Sequence, residues 1–394
     1  MKFVDEFRDP AKARSLIGEI NVMAKRIRPS MNRPLYIMEV CGGHTHAIFR
    51  YGIETMLPEE IELVHGPGCP VCVLPMGRID DCIAIAERPN VIMTSFGDAL
   101  RVPGSKKSLL TAKAEGADVR TVYSPLDALQ LAKANPDKEV VFFGLGFETT
   151  MPSTALTVLR VEAEGINNFS LFCNHITIIP TVKAILDSPD FQIDGFLGPG
   201  HVSMVIGNEP YEFIAGHYGR PIVVTGFEPL DILHGIWMVL KQIDEGRSVV
   251  ENQYRRIVPE GGNAVALDAI DRVFELREFF EWRGLGSIDH SGVRMRDAYA
   301  RFDAERKFTM PALMIADPKA CQCGEVLKGI IKPWGCRVYG KECTPETPMG
   351  ALMVSSEGAC AAYYRFGDIE KIRIRRAEKG LDKVEPDVVA EVQA

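Results

Sequence analysis

Along its first 260 residues the chain alternates short β-branched runs with longer amphipathic stretches, and that alternation restricts it to parallel sheets covered by helices. Strand-like runs fall at 35–40, 61–65, 90–96, 119–123, 140–144, 169–173, 195–197 and 221–225. Between them, 78–87 carries Ile79, Ile83, Ile85 and Ala86 at helical spacing, and 126–134 and 230–243 have the same character. The sequence also echoes itself at a spacing of 131 to 132 residues. Cys41-Gly42-Gly43-His44 recurs as Cys173-Asn174-His175, and Gly66-Pro67-Gly68 as Gly198-Pro199-Gly200. The run 91–96 recurs at 222–227. The echo predicts an α/β fold of two similar parallel-sheet domains, 34–138 and 139–260, facing one another. Chemistry in such folds sits beyond the C-terminal strand ends, so the cleft between the domains is the expected site. A helical segment, 1–33, precedes them. A C-terminal helical and cysteine-rich domain, 261–394, follows, in which 263–280 reads as one long helix through Val265, Leu267, Ile270, Val273, Phe274 and Leu276.

The net charge of −8 argues against nucleic acid or an anionic membrane as the main partner. A short basic run at Lys371, Arg373, Arg375 and Arg376 reads as a solvated helix face. The first residues lack the basic-then-apolar order of a signal peptide, and no apolar run approaches the ~18–20 residues of a membrane span. A cytoplasmic location is the simplest expectation. In a reducing compartment the ten cysteines read as metal ligands, redox thiols or buried apolar residues, rather than as structural disulfides.

Those cysteines form two sets. Cys321, Cys323, Cys336, Cys343 and Cys360 are interleaved with glycines and prolines that let backbone turn tightly around a cluster. Four thiolates are what a cubane cluster requires. Structural zinc is the alternative, but zinc ribbons use paired C-x₂-C knuckles, whereas these spacings are long and unequal. Cys321 and Cys323 are too close for both to be ordinary ligands of one cube, so one is spare. In the other set, Cys69-Pro70-Val71-Cys72 follows a strand and precedes a helix, the arrangement of a redox-active dithiol with a lowered thiol pKa. Half a zinc site looks the same. Cys41-Gly42-Gly43-His44 joins a thiol and an imidazole, which suits iron, or a nucleophile and its base. His175 and His201 sit at echo-equivalent strand ends, while His46, His65, His217, His234 and His290 receive no role. Cys82 lies on an apolar helix face and reads as packing. Cys173, which closes a strand, reads either way.

Long motifs carry a resemblance to a known family. MEVCGGHTH at 38–46, GPGCPVC at 66–72, FGDALRVPGS at 96–105, CNHITIIPT at 173–181, GPGHVS at 198–203 and GFEPLDIL at 226–233 resemble the HypD hydrogenase maturation factors. So does the stretch from Cys321 through GKECTPETPMG to the SSEGACAAYY that ends at Tyr364. The resemblance covers essentially the whole chain. It implies a cytoplasmic scaffold on which the Fe(CN)₂CO group of [NiFe]-hydrogenases is assembled, with the partners HypC and HypE, the latter supplying cyanide. Such a protein is an assembly scaffold with redox activity, not a conventional turnover enzyme. The family's cluster motif, with fourteen, six and sixteen residues between cysteines, assigns a [4Fe-4S] cluster to Cys321, Cys336, Cys343 and Cys360 and leaves Cys323 aside. The iron-site cysteine maps to Cys41, with His44 as helper, and the redox pair to Cys69 and Cys72. Many relatives carry one more cysteine where this chain has Leu352. Glu357 reads as a proton carrier or as an ordinary cap. The rival expectation is an iron–sulfur-dependent thiol–disulfide reductase acting on partner proteins.

Overall fold

The computed structural model describes residues 5–27, 33–189 and 191–367, so the basic run at 371–376 lies outside the described residues. The strands of the first part are β1 (Leu35–Glu39), β2 (Ile61–His65), β3 (Val91–Ser95), β4 (Val119–Thr121) and β5 (Glu139–Gly146). They are followed by β6 (Phe169–His175), β7 (Gly195–Pro199), β8 (Ile222–Thr225) and β9 (Val250–Asn252). Each expected strand run forms, because β-branched and aromatic side chains suit a sheet buried on both faces.

Two parallel sheets result, with strand orders β2-β1-β7-β8-β9 and β4-β3-β5-β6. In the first, Leu35 pairs with Ile61 and Ile37 with Gly195. In the second, Val91 pairs with Glu139 and Val140 with Phe169. Both sheets share one topology, in which the earliest strand is internal, the next lies outside it, and later strands add on the other side. The chain of the second sheet runs between β2 and β7, so one domain is inserted into the other. The expected division into 34–138 and 139–260 therefore cuts through both sheets. Each sheet takes two strands from the earlier segment and the remainder from the later one. Apolar patterning marks a strand without naming its neighbour. The sequence echo matches β1 to β6 and β3 to β8, strands that are not topological equivalents. It reflects the turn chemistry that parallel strand ends share.

The first sheet buries Ile37, Leu63, Leu197 and Val223 against the Pro10–Ile27 and Pro229–Asp244 helices. The second packs Val140, Phe142 and Leu171 against the Met151–Ala163 helix and Val273. The expected helix over 263–280 stops early. It spans Ala264–Val273, and then β10 (Phe274–Leu276), β11 (Phe279–Trp282), β12 (Gly286–Asp289) and β13 (Val293–Met295) form two antiparallel ladders. Phe280 and Trp282 are buried while Phe279 is half exposed, a period of two that outweighs the helical reading of the apolar positions.

The cysteine-rich segment is also better packed than its loop-rich composition suggests. Leu352, Met353, Ala359 and Cys360 join Phe143, Phe172, Phe196 and Cys72 in one contiguous core. Among the described residues no helix is long and apolar enough to cross a membrane.

Candidate metal and thiol site

In the first sheet β1 lies between β2 and β7. The connection after β1 leads to β2 on one side and the connection after β7 leads to β8 on the other, which opens a crevice between the C-terminal ends of β1 and β7. Cys41 stands there. It precedes the Gly42–Arg50 helix in extended conformation, φ −145° and ψ 120°. The Gly43 and His44 amides lie close enough to favour its thiolate, the His44 N–H donates to the Cys41 carbonyl at 2.8 Å, and the Gly42 N–H donates to the Gly68 carbonyl at 2.9 Å. Burial, with Glu39 and Glu357 adding negative charge, nevertheless pushes the Cys41 thiol up to about 12. Gly42 is required by close approach, since a Cβ there would lie 2.6 Å from Glu357 Oε2.

Glu39 and His65, the paired last residues of β1 and β2, sit directly beneath this turn. Glu39 Oε2 accepts from the Cys41 amide at 2.9 Å. Glu39 Oε1 accepts from the Thr45 hydroxyl and from His65 Nδ1, the latter at 2.8 Å. The far ring nitrogen of His65, Nε2, is buried without a hydrogen-bond partner. Neither Glu39 nor His65 was expected from the sequence. The available signal was a charged residue closing each of two adjacent apolar strands.

His44 is fully buried. Its Nε2 donates to the Thr225 carbonyl at 3.0 Å, while Nδ1 is buried without a partner. Its ring stacks on Phe227, with centroids 4.7 Å apart, and Phe227 stacks on His201 at 3.8 Å. The structure thus brings His201 to the Cys41 turn. His175 instead lies in the second sheet beside Thr154 and Phe274.

Cys69 and Cys72 bracket the start of a single helical turn, Pro70–Val73. The Cys72 S–H points to Cys69 Sγ at 2.7 Å. The lowered pKa expected of a helix-end dithiol is absent at Cys72. Burial, the Cys69 hydrogen bond and the charges of Cys69, Glu357 and Cys323 push it well above the usual thiol range. The turn is too short to oppose complete desolvation, and at Cys41 even the longer Gly42–Arg50 helix does not overcome it.

The third part of the chain closes over these thiols. Ser355 Oγ donates to Asp98 at 3.1 Å, Arg101 to the Pro345 carbonyl at 2.9 Å, and Lys332 to the Leu63 carbonyl at 2.7 Å. These bonds hold the module to both sheets and set Glu357 against Gly42. Burial raises the Glu357 carboxyl, and Asp98 and Glu39 add to the rise.

Within the module, Cys321 Sγ lies 3.0 Å from Cys323 Sγ, and the hydrogen bond from Cys323 lowers Cys321 to about 7. The Gly350 and Met349 amides are directed at Cys343. Burial raises Cys360, followed by the charges of Cys343, Cys321 and Cys336. A Cβ on Gly350 would stand 2.5 Å from Cys323 Sγ and 2.6 Å from Cys321 Sγ. Among the described residues no three His, Cys, Asp or Glu side chains converge as ligands of a single ion. Cys82 packs on Met93 and Cys173 on Val293, both in the core.

The family model described as HypD, Hydrogenase formation hypA family, matches residues 12–367. The chain is 59% identical over 371 residues to the hydrogenase maturation factor HypD of Rhodobacter capsulatus, covering 93% of this chain and 98% of the relative. It is 56% identical over 366 residues to the factor of the same name from Escherichia coli K12, with the same two coverages. HypD2 of Bradyrhizobium diazoefficiens is 51% identical over 384 residues, covering 96% of this chain and all of the relative.

Proposed function

The chain belongs to the HypD family and has a role in hydrogenase maturation, and we propose that it is the scaffold on which the Fe(CN)₂CO group of [NiFe]-hydrogenases is assembled. The observation that carries this reading is the position of Cys41. It lies at a helix N-terminus in the crevice of the first sheet, with Glu357 of the cysteine-rich module set against the same turn. Cys41 binds the cargo iron as thiolate. Its proton leaves on binding, and the Gly43 and His44 amides with the helix dipole stabilise the charge left on sulfur. HypC supplies a second thiolate and HypE the cyanide. His44, anchored on Thr225, orients the turn. The ten cysteines, all free, suit a reducing cytoplasm.

The Cys69–Cys72 pair is the two-electron reservoir. Oxidation joins the two sulfurs as a disulfide and releases two electrons and two protons, and reduction reverses this. Cys321, Cys336, Cys343 and Cys360 would hold a [4Fe-4S] cluster. Their mutual electrostatic influence, the amides aimed at Cys343 and the space kept by Gly350 suit thiolate ligation. Ligands of a cubane each bind a different iron, so they need not converge on one point as ligands of a single ion do. When bound, the cluster supplies electrons singly.

The test is anaerobic isolation of the chain with its small partner. Nitrile and carbonyl infrared bands are expected, and Cys41→Ala removes them. Unchanged bands in that variant overturn the scaffold reading. A second reading, a thiol–disulfide reductase, draws on the contact of Cys72 with the cysteine-rich module, where a Cβ on Gly358 would stand 2.9 Å from the Cys72 sulfur. That activity survives Cys41→Ala and is lost in Cys72→Ser.

A further inference from the structure

Glu39, Thr45 and His65 are all nearly or completely buried, and the chemistry proposed above uses none of them. A buried carboxylate is costly unless its oxygens are satisfied, and Glu39 is satisfied by three donors from three places. They are the Cys41 amide at the start of the turn, the Thr45 hydroxyl one helical turn later, and the His65 ring from the neighbouring strand. One side chain therefore fixes the backbone on both sides of the Gly-Gly step. That step cannot hold itself, because glycine has no conformational preference of its own there.

The His65 ring is itself clamped between Phe49, at 5.2 Å, and Tyr363 of the cysteine-rich module, at 5.7 Å. His65, whose Nε2 has no partner, also lines a cavity of about 10 Å³ with Val326, Gly329, Ile331 and Ala359 of the same module. That is room for about one water molecule. The near edge of the ring thus holds the Cys41 turn, and its far edge meets the domain of the other cysteine set.

We propose that Glu39 and His65 are positioning residues that brace the Cys41 thiol in its turn, and that docking of the cysteine-rich module holds the brace closed. The brace deepens the scaffold reading and rests on it only for its purpose. Its geometry stands without iron.

The experiment compares full-length chains carrying His65→Asn and His65→Phe. The asparagine amide donates from near the Nδ1 position and restores the bond to Glu39. Phenylalanine fills the space between Phe49 and Tyr363 but donates nothing. The readout is the rate at which a maleimide labels Cys41, followed by peptide mass spectrometry, with Cys82 in the core as the control for unfolding. His65→Phe is expected to speed Cys41 labelling about fivefold, the factor that one buried hydrogen bond supplies. His65→Asn is expected to stay within about twofold of the parent. If the ring only fills space, the order reverses. That reversal, or parent-like labelling in His65→Phe, overturns the proposal.

Should Cys82 also label in His65→Phe, Thr45→Val removes a donor from Glu39 without touching the ring. A smaller rise at Cys41 is expected, and no rise overturns the brace. Failure of the scaffold reading appears separately, as infrared bands unaffected by Cys41→Ala, whatever the labelling shows.

Discussion

Burial is the strongest single influence on the working thiols. It holds Cys41 protonated at neutral pH against the pull of the Gly43 and His44 amides, and Cys72 likewise, so both thiols are poor nucleophiles in the folded chain. The same principle applies to Glu148, which lies just beyond β5. Its Oε1 accepts from the Ile178 amide at 3.1 Å, its Oε2 is buried without a partner, and burial raises the carboxyl to about 7. A raised acid favours the folded state at low pH. The cost appears as pH rises above the unfolded value of 4.5 and is complete above about 7. Glu148→Gln should therefore stabilise the chain by about 3 kcal/mol at pH 8 and leave it unchanged near pH 4, read by urea unfolding at both. Gly42→Ala drives a methyl into Glu357 and should cost about 1–3 kcal/mol in the same assay. The sequence marks Cys41, Cys69 and Cys72 because cysteine in a glycine-rich turn is a rare pattern. It does not mark Glu39 or His65, since one polar residue ending an apolar strand is ordinary, and only the register Glu39 with His65 makes them a pair.

Strands and helices announce themselves where one period dominates. The buried runs of β3 and of β5 beyond Glu139 are readable as largely apolar, and the Pro229–Asp244 helix as an amphipathic one. The segment after Val273 is not, because Phe274 and Leu276 satisfy a helical and a strand period equally. Pairing with Met295 and Val293 decides the matter. The β10–β13 ladder is held to the second sheet by a carboxylate, Glu305, which pairs with both Arg78 and Arg277. The two arginines also donate to the Cys173 carbonyl, at 3.1 and 3.3 Å. Removing the acid leaves two largely buried guanidinium groups facing each other. Glu305→Ala should cost on the order of 3 kcal/mol, and Glu305→Gln rather less, as shifts in the denaturant midpoint with unchanged slope. Proteolysis between 308 and 318 should then quicken.

At the scale of the molecule, the cysteine-rich module is a cover whose apolar side chains belong to the core of both sheets. If a cluster braces that module, stripping it under oxidation with a chelator should loosen the cover. Cys72 should then react with a maleimide several-fold faster, while Cys82 stays protected. An unchanged Cys72 rate would mean that packing alone holds the module down. The nesting of one domain inside the other has a further consequence for a chain emerging from a ribosome. β1 and β2 appear first but can only wait, because β7 follows the whole of the second sheet. The inner sheet has all its strands earlier and can pair them while the outer one is still open, though its core waits for Val273, Phe274 and Met295. The long loop between β2 and β7 must close before their contacts reward it, and compaction of the inner domain shortens that closure. The crevice that holds Cys41 is therefore built last, from the two distant ends of the outer domain. A truncated or stalled chain carries Cys41 but lacks the crevice that surrounds it in the finished fold.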